Sequence, residues 1–315
     1  MQLLRSLDNL PPDCRGGAVA IGNFDGVHRG HARIVERLLA NAREVGGPAV
    51  VFTFDPHPAM VLRPEAAPQP LTWIDRKAEL LAALGVDGMI AFPTDEALLA
   101  LEAEEFFDRI VLQKLQAKAL VEGPNFAFGR GRRGTIELLR DLSRKAAVKL
   151  EVVEPIWDGD EIVSSSRVRR LVAAGDVAEA GRLLTAPYRI RGLVTHGAGR
   201  GAKIGFPTAN LAGVDTLLPA QGVYAGRAER DGRRVGAAIN VGPNPTFGEQ
   251  AAKIEVHLLN YSGSLYGQTL EVDFLARLRD IRPFADVSAL TAQLAEDVAD
   301  ADRIAAVCCG TVSRP

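Results

Sequence analysis

The sequence is poor in cysteine, in net charge and in long apolar runs. Of its three cysteines, Cys14, Cys308 and Cys309, two are adjacent, which excludes a disulfide framework and a CxxC metal site. The net charge is −2, without the basic excess of a dedicated nucleic-acid-binding protein. No apolar run approaches the roughly 18–20 residues that span a bilayer, and residues 1–15 lack a signal-peptide core. These absences predict a cytoplasmic protein that binds neither nucleic acid nor membrane, and they leave its oligomeric state open.

The chain does contain enough apolar material for two cores. It has 315 residues, 47% hydrophobic and 24% charged, which at about 150 residues per domain indicates two globular domains. In the first half, apolar runs alternate with stretches of helical periodicity. Strands are predicted at 18–21, 49–54, 88–92, 119–122 and 150–154, and helices at about 34–45, 77–84, 103–115 and 135–144. This alternation predicts a doubly wound parallel sheet.

The pattern changes near Ala186-Pro187, after a helical segment at 168–184. Beyond this point, short runs in which apolar and polar residues alternate are separated by turn-forming residues. Helical periodicity returns only over 287–307. Strands are predicted at 188–195, 222–227, 234–241, 254–259 and 269–274. We expect an antiparallel β-barrel with one C-terminal helix, and domains spanning 1–185 and 186–315.

A glycine-rich loop at residues 22–31 (GNFDGVHRGH) joins the first strand to the first helix. Ligands bind beyond the carboxyl ends of strands in open α/β sheets, and free N–H groups at a helix start suit phosphate. His28 and His31 lie three residues apart, so both can donate to a phosphate that gains charge in a transition state. A structural pair, or metal ligands with His57, are the alternatives.

Three further segments of the first half carry polar side chains. Asp55 and His57 lie in the segment 54–58 (FDPHP), which either contacts a ligand or is a turn stiffened by its prolines. The aromatic residues of 123–129 (GPNFAFG) either face a ligand or belong to the core. The serines of 164–169 (SSSRVR) bind a triphosphate or cap a helix. The GxGxxG string at 129–134 is no dinucleotide fingerprint, because Pro124 and Asn125 break the preceding strand early.

The second half has its own constellation. Glycines crowd residues 197–205, but the chain has no Gly-Lys pair and therefore no Walker A loop. Glu255 lies on a strand of alternating polarity, which is either a plain half-exposed strand or the location of a base for phosphoryl transfer to an alcohol.

Taken in order, the motifs resemble the bacterial bifunctional riboflavin kinase/FAD synthetase family. Residues 22–31, 54–58, 123–129 and 164–169 resemble its adenylyltransferase module, a Rossmann-like nucleotidyltransferase with an HxGH motif. Residues 205–210 (GFPTAN), 222–225, 240–248 and 253–259 resemble its β-barrel kinase module. The resemblance implies ATP-dependent phosphorylation of riboflavin to FMN, then adenylylation of FMN to FAD with release of pyrophosphate. Mg²⁺ is implied for both steps.

The resemblance also implies roles for individual residues. His28 and His31 would stabilise the α-phosphate of ATP, Glu255 would be the base on the ribityl hydroxyl, and Thr208 and Asn210 would hold Mg²⁺, as neutral oxygen ligands do. Nucleotide binding is implied for Gly22, Asn23, Phe24, Asp25, Gly30, Ser164, Ser165, Ser166, Arg169, Gly197, Gly199, Lys203, Thr208 and Asn210. Flavin binding is implied for Asp55, His57, Asn125, Phe128 and Arg277, the last in a substrate-closing loop at 275–280.

Three other interpretations remain. The chain is an enzyme with one competent module, a flavin- or nucleotide-binding regulatory protein with vestigial sites, or a nucleotidyltransferase for another phosphorylated substrate. The catalytic residue types argue against the regulatory protein, since binding alone requires no base. The third interpretation leaves the barrel motifs unexplained.

Overall fold

The computed structural model describes residues 1–197, 199–230, 232–243 and 253–307. Its contacts divide the chain into two compact units. The first comprises Met1–Gln69 and Trp73–Ser165, and the second comprises Pro70–Thr72 and the chain from Ser166 onward. The second unit therefore begins before the predicted boundary at 185/186. Of the sequence features discussed above, the part of the 240–248 motif from residue 244 on and the pair Cys308-Cys309 lie outside the described residues.

The first unit is built on a parallel sheet of six strands. They are β1 (Gln2–Leu4), β2 (Ala18–Ile21), β3 (Ala49–Asp55), β4 (Gly88–Pro93), β5 (Ala119–Glu122) and β6 (Lys149–Val152), in the order β1-β4-β3-β2-β5-β6. The strand order reverses between β2 and β5, which is where open α/β sheets bind ligands. A short hairpin of β7 (Trp157–Asp158) and β8 (Glu161–Ile162) follows the sheet.

Helices connect these strands, and each begins or ends for a local reason. They are α1 (Arg29–Val45), α2 (Pro58–Leu62), α3 (Ile74–Ala83), α4 (Glu96–Ala100), α5 (Ala103–Phe106) and α6 (Ile136–Lys145). Helix α1 ends at Gly46, which adopts a left-handed conformation with φ +66°. Thr135 caps α6 by accepting from the Leu138 N–H. A π-helical segment, Phe107–Lys114, continues α5, so the predicted helix at 103–115 is not one regular helix.

The second unit is a closed antiparallel barrel with helices around it. Its strands are β9 (Tyr188–Thr195), β10 (Ala209–Ala212), β11 (Gly222–Arg230), β12 (Arg233–Gly242), β13 (Lys253–Leu258) and β14 (Thr269–Arg279), closed in the order β10-β13-β12-β11-β14-β9. Its helices are α7 (Ser165–Ala174), α8 (Val177–Leu183), α9 (Arg200–Lys203) and α10 (Val287–Val307). Helix α8 contacts β9 and β14, which explains why the residues before 186 group with the barrel.

Alternation along the barrel strands separates a buried interior from a covered outer face. On β13, Ile254, Val256 and Leu258 are buried, whereas the polar residues between them are half-buried. Helix α10 packs on the outside against β11, β12 and β14, and its Ala301 joins Ala225 and Leu259 in a small apolar cluster. The polar face of β13 is therefore on the outside of the barrel.

The predicted fold class is confirmed: a doubly wound parallel sheet, then an antiparallel barrel with a C-terminal helix. Two further details differ from the sequence prediction. Residues 275–279 are not a loop, because β14 continues to Arg279 and pairs with β11. The predicted helix at 168–184 is two helices, separated by Gly175 at φ +82° and by Asp176, which caps α8. Among the described residues, no helix is long and apolar enough to cross a membrane.

Candidate active sites

The HxGH loop brings its two histidine rings into direct contact. The ring centroids of His28 and His31 lie 3.7 Å apart with 18° between the planes. His28 caps α1, because its Nδ1 accepts from the His31 backbone N–H at 3.3 Å. A Cβ on Gly30 would lie 3.0 Å from the His28 ring, so only glycine leaves this ring undisturbed. In neutral His28 the proton is therefore on Nε2, which makes Nε2 a hydrogen-bond donor.

His31 is held in its neutral form by its surroundings. Its Nδ1 is buried and has no hydrogen-bond partner in the described part of the chain. Burial, then the charges of His28 and Lys77, hold the pKa of His31 well below its usual range. An anionic phosphate beside the ring would supply the partner that it lacks.

The lowered pKa of His31 predicts a pH-dependent stability. Below about pH 6.5, the ordinary pKa of histidine, the unfolded chain takes up a proton at His31 that the folded chain does not. Stability should therefore fall as pH is lowered through this range, by up to about 1.4 kcal/mol per pH unit. Denaturant unfolding between pH 8 and pH 5 should give a steeper pH dependence for the wild type than for His31→Gln. Equal slopes would contradict a buried neutral His31.

A hydrogen-bonded chain joins the HxGH loop to the FDPHP segment. The Asn23 side-chain amide lies 2.9 Å from His57 Nε2. His57 Nδ1 accepts from the Ala59 N–H, so in the neutral ring Nε2 carries the proton and is the donor of the Asn23–His57 hydrogen bond. The Asn23 carbonyl accepts from the Lys77 ammonium at 2.6 Å and from the Thr53 hydroxyl at 3.1 Å. Lys77 is only 5% exposed, and burial lowers its pKa. The sequence prediction missed Lys77, because nothing in a helical lysine signals burial.

Two cavities open at this end of the sheet. The histidine cavity is lined by Gly22, Phe24, His28, Gly30, His31 and Glu122, and the aromatic cavity by Asn23, Phe54, His57, Phe126, Phe128 and Arg130. Asn125 lines both of them. This arrangement brings together predicted nucleotide-binding and flavin-binding residues from three separate motifs.

The structure places the other residues predicted for the nucleotide and flavin sites at several different positions. Asp25 is buried, and its carbonyl accepts from the Ser165 hydroxyl at 2.8 Å. Asp55 lines neither cavity and forms an ion pair with Arg5 at 3.0 Å. Ser164 is half-buried just before α7, whereas Ser166 and Arg169 belong to the second unit. Phe128 is 6% exposed and stacks on Phe126.

The second unit carries a row of polar side chains across neighbouring barrel strands. Glu255 on β13 lies opposite Asn210 on β10 and opposite Asn240 on β12. All three line the barrel cavity, together with Thr208, Val223 and Arg279. A Cβ on Gly197 would collide with the Asn210 amide nitrogen, so a larger residue at position 197 would displace the Asn210 side chain. The cavity thus combines a carboxylate, two amides and a hydroxyl on one wall.

Apolar residues close the rest of the barrel cavity. Ile281 and Phe284 follow β14, and Leu290, Leu294 and Val298 come from α10. Arg279 and Arg282 stack over the Phe284 ring at 5.5 and 5.2 Å. One side of the cavity is therefore suited to a planar apolar group, and the other side to phosphate chemistry.

The remaining predicted residues of the barrel divide into two groups. Gly199 lines the cavity, whereas Lys203 is exposed at the end of α9 and does not line it. Arg277 does not line it either, since its guanidinium donates to the Ala174 and Gln221 carbonyls and to Asp280. Arg200 lines the cavity, and the sequence prediction passed over it in favour of the glycines beside it. His257 Nδ1 donates to the Pro207 carbonyl at 2.7 Å, a local bond.

Comparisons with known proteins match both units. The FAD synthetase family model matches residues 10–167, and the riboflavin kinase family model matches residues 184–305. A bifunctional riboflavin kinase/FMN adenylyltransferase from Pseudomonas fluorescens is 39% identical over 307 residues, covering 97% of this chain and 98% of the relative. The chain belongs to this family. The membership assigns both activities to it, with ATP as co-substrate and with FMN and FAD as products.

Other similar proteins cover nearly the whole chain as well. The bifunctional riboflavin kinase/FMN adenylyltransferase of Bacillus subtilis is 34% identical and covers 90% of this chain and 91% of its own length. A crystal structure described as a macrolide-efflux protein from Streptococcus pneumoniae has a TM-score of 0.84 and 31% identity, over 95% of this chain and 98% of that one. This solved structure therefore has a fold similar to that of the whole chain.

Within the riboflavin kinase unit, an ion pair fixes α10 to the cavity wall. Arg279 donates from Nε and Nη2 to Asp297 at 2.7–3.1 Å, and Asp297 is 3% exposed. Asp297→Ala leaves the guanidinium without its counter-ion, so we expect a loss of about 3 kcal/mol in unfolding free energy. Removing both charges, in Arg279→Met with Asp297→Leu, should recover most of it. Urea unfolding measures both values; a double variant as unstable as the single one would contradict this role of the pair.

Proposed function

We propose that each functional domain, 1–185 and 186–315, holds one complete active site and that the two reactions occur in succession. The barrel unit phosphorylates riboflavin, and the parallel-sheet unit adenylylates the resulting FMN. The observation that carries the proposal is that each unit has its own cavity with its own reactive groups: the stacked histidines in one and Glu255 between two amides in the other. We keep the functional boundary at 185/186, supported by the start of the riboflavin kinase match at residue 184.

In the adenylylation site, the FMN phosphate attacks the α-phosphorus of ATP and pyrophosphate leaves. Charge builds on the α-phosphate oxygens in the transition state, and the His28 and His31 rings lie where they can donate to those oxygens. The aromatic cavity, lined by Phe126 and Phe128, accepts the isoalloxazine ring. Asn125, which lines both cavities, is placed between flavin and nucleotide.

In the kinase site, the ribityl 5′-hydroxyl attacks the γ-phosphorus of ATP and ADP leaves. The Glu255 carboxylate accepts the hydroxyl proton as the new P–O bond forms. The flanking amides of Asn210 and Asn240 hold the polar end of the substrate and the phosphates. The apolar wall from α10, with Leu290 and Leu294, packs against the flavin ring.

The donor set of the barrel cavity fits Mg²⁺. Thr208 and Asn210 offer neutral oxygens, which Mg²⁺ accepts alongside substrate phosphates and water. Among the described residues there is no cluster of three or more His, Cys, Asp or Glu that could hold a metal by itself. A bound Mg²⁺ would neutralise charge that builds on the transferred phosphoryl group.

Product analysis tests the proposal and its dependence on Mg²⁺. Purified protein incubated with riboflavin and MgATP should give FMN and then FAD by chromatography. Excess EDTA should lower both rates by at least about tenfold, and added Mg²⁺ should restore them. Formation of neither product with MgATP would contradict the assignment, and full rates in EDTA would contradict the role of the metal.

The partners we propose are small molecules: riboflavin, FMN and ATP. We propose a cytoplasmic location, because the three cysteines, two of them adjacent, provide no disulfide framework.

A further inference from the structure

The two central strands of the parallel sheet separate before they end. The β2–β5 pairing consists of Ala18 with Ala119 and Val19 with Leu120. On their other sides, β2 continues to pair with β3 as far as Ile21, and β5 with β6 as far as Glu122. A gap therefore opens between the last two residues of β2 and of β5, where the strand order reverses.

The Glu122 side chain fills this gap. Its Oε1 accepts from the Ile21 backbone N–H at 2.7 Å, in place of a ladder bond to β5. The residue is 3% exposed and lines the histidine cavity together with His28 and His31. Its second oxygen, Oε2, makes no hydrogen bond to any residue that the structure describes. A carboxyl group thus forms part of the floor of the nucleotide site with one oxygen left for a ligand.

A carboxylate at this position would be costly. Burial raises the pKa of Glu122 well above its usual range, and the Ile21 N–H bond offsets this effect only in part. An ionised Glu122 would also repel the phosphates of ATP in the same cavity. Both effects favour the protonated acid, in which Oε2 is a hydrogen-bond donor.

We propose that Glu122 works as a neutral carboxylic acid that donates a hydrogen bond from Oε2 to an acceptor atom of the bound nucleotide. The inference rests on the proposed adenylylation in the first unit. The acceptor is a ring nitrogen of the base or an oxygen of the α-phosphate, since both are acceptors without a proton. Glu122 is therefore a nucleotide-binding residue that also ties the ends of β2 and β5 together.

Two substitutions of similar size separate donation from charge. In Glu122→Gln the amide oxygen still accepts from Ile21 and the NH₂ still donates, so kcat and the KM for ATP in FAD formation should stay within about threefold of wild type. Glu122→Met has neither group, so kcat/KM for ATP should fall by about tenfold, the equivalent of one hydrogen bond. If Glu122 contacts the base, its replacement by Met should raise only the KM for ATP. If it contacts the α-phosphate, the replacement should lower kcat. Glu137→Gln, at an exposed position on α6, is the matched control and should behave as wild type.

The kinase reaction of the same preparations reports on the folding of the second unit, and thermal melting reports on the first. A Glu122→Met enzyme with wild-type kcat and KM would show that Glu122 is only structural. A Glu122→Gln enzyme whose kcat/KM for ATP falls tenfold or more would show that the ionised form is required. This result overturns the proposal even if Glu122→Met does not fold. If the wild type makes no FAD from FMN and MgATP, the proposed function fails instead.

Discussion

Glu255→Gln is expected to slow FMN formation by at least about 10²-fold, while FMN-to-FAD conversion continues within about twofold of the wild-type rate. The carboxylate lies between Asn210 and Asn240 on the wall of the barrel cavity, and glutamine keeps its size and loses its basicity. General-base catalysis contributes about 10²–10⁴ in rate, so kcat for riboflavin phosphorylation should fall by that factor. The KM values for riboflavin and ATP should change little. Chromatographic separation of flavins after incubation with MgATP measures both reactions in one preparation.

The matched control for this variant is Glu229→Gln. Glu229 is an exposed carboxylate on β11 of the same barrel and does not line the cavity, so both of its activities should remain at wild-type rates. A Glu255→Gln enzyme that still phosphorylates riboflavin within threefold of wild type would remove Glu255 from the mechanism. Loss of both activities would instead contradict two independent sites.

Replacement of both histidines has the opposite expected result. In His28→Ala with His31→Ala, FAD formation from FMN should fall by about 10³ or more, since one donor to a developing oxyanion contributes about 10²–10³. Riboflavin phosphorylation in the barrel should continue within about twofold. The rings stack at 3.7 Å and share one cavity, so we expect the single substitutions to be non-additive. FMN should therefore accumulate from riboflavin without further conversion.

His28 also caps α1, and one more variant separates this capping role from hydrogen-bond donation to the phosphate. Its Nδ1 caps α1, so alanine removes both a catalytic donor and a helix cap. Asparagine is a good N-cap residue but cannot place a donor where Nε2 of the ring lies. His28→Asn should keep the thermal stability of the first unit and still lose about 10²-fold in FAD formation. Recovery of activity by asparagine would mean that capping, and not donation, is the role of His28.

Much of the fold could be predicted from periodicity. The strands Ala18–Ile21, Ala119–Glu122 and Tyr188–Thr195 have the predicted bounds, because each is a short apolar or alternating run between turn residues. The edge strand Gln2–Leu4 was missed, since three residues carry too little pattern and its pairing with β4 is a tertiary effect. Residues 275–279 are a strand because they pair with β11, whereas their own sequence alternates poorly.

Site residues that belong to a sequence motif could be predicted. Residues whose role depends on a contact with a distant part of the chain could not. The sequence motifs identified His28, Thr208 and Glu255, which the structure places in cavities. Sequence reasoning could not find Lys77, whose role depends on a carbonyl 54 positions away in the chain. Glu122 was read only as the end of a buried strand, because the gap that it fills exists only where β2 and β5 separate.

Two independent sites on one chain are proposed to catalyse the two successive reactions. The most direct measurement is FAD formation from riboflavin and MgATP by an equal mixture of the Glu255→Gln enzyme and the His28→Ala, His31→Ala enzyme. Neither variant alone should make FAD from riboflavin. The mixture should make it, because FMN released by one protein is the substrate of the other. A mixture that forms no FAD, although each variant retains its own activity, would contradict the account.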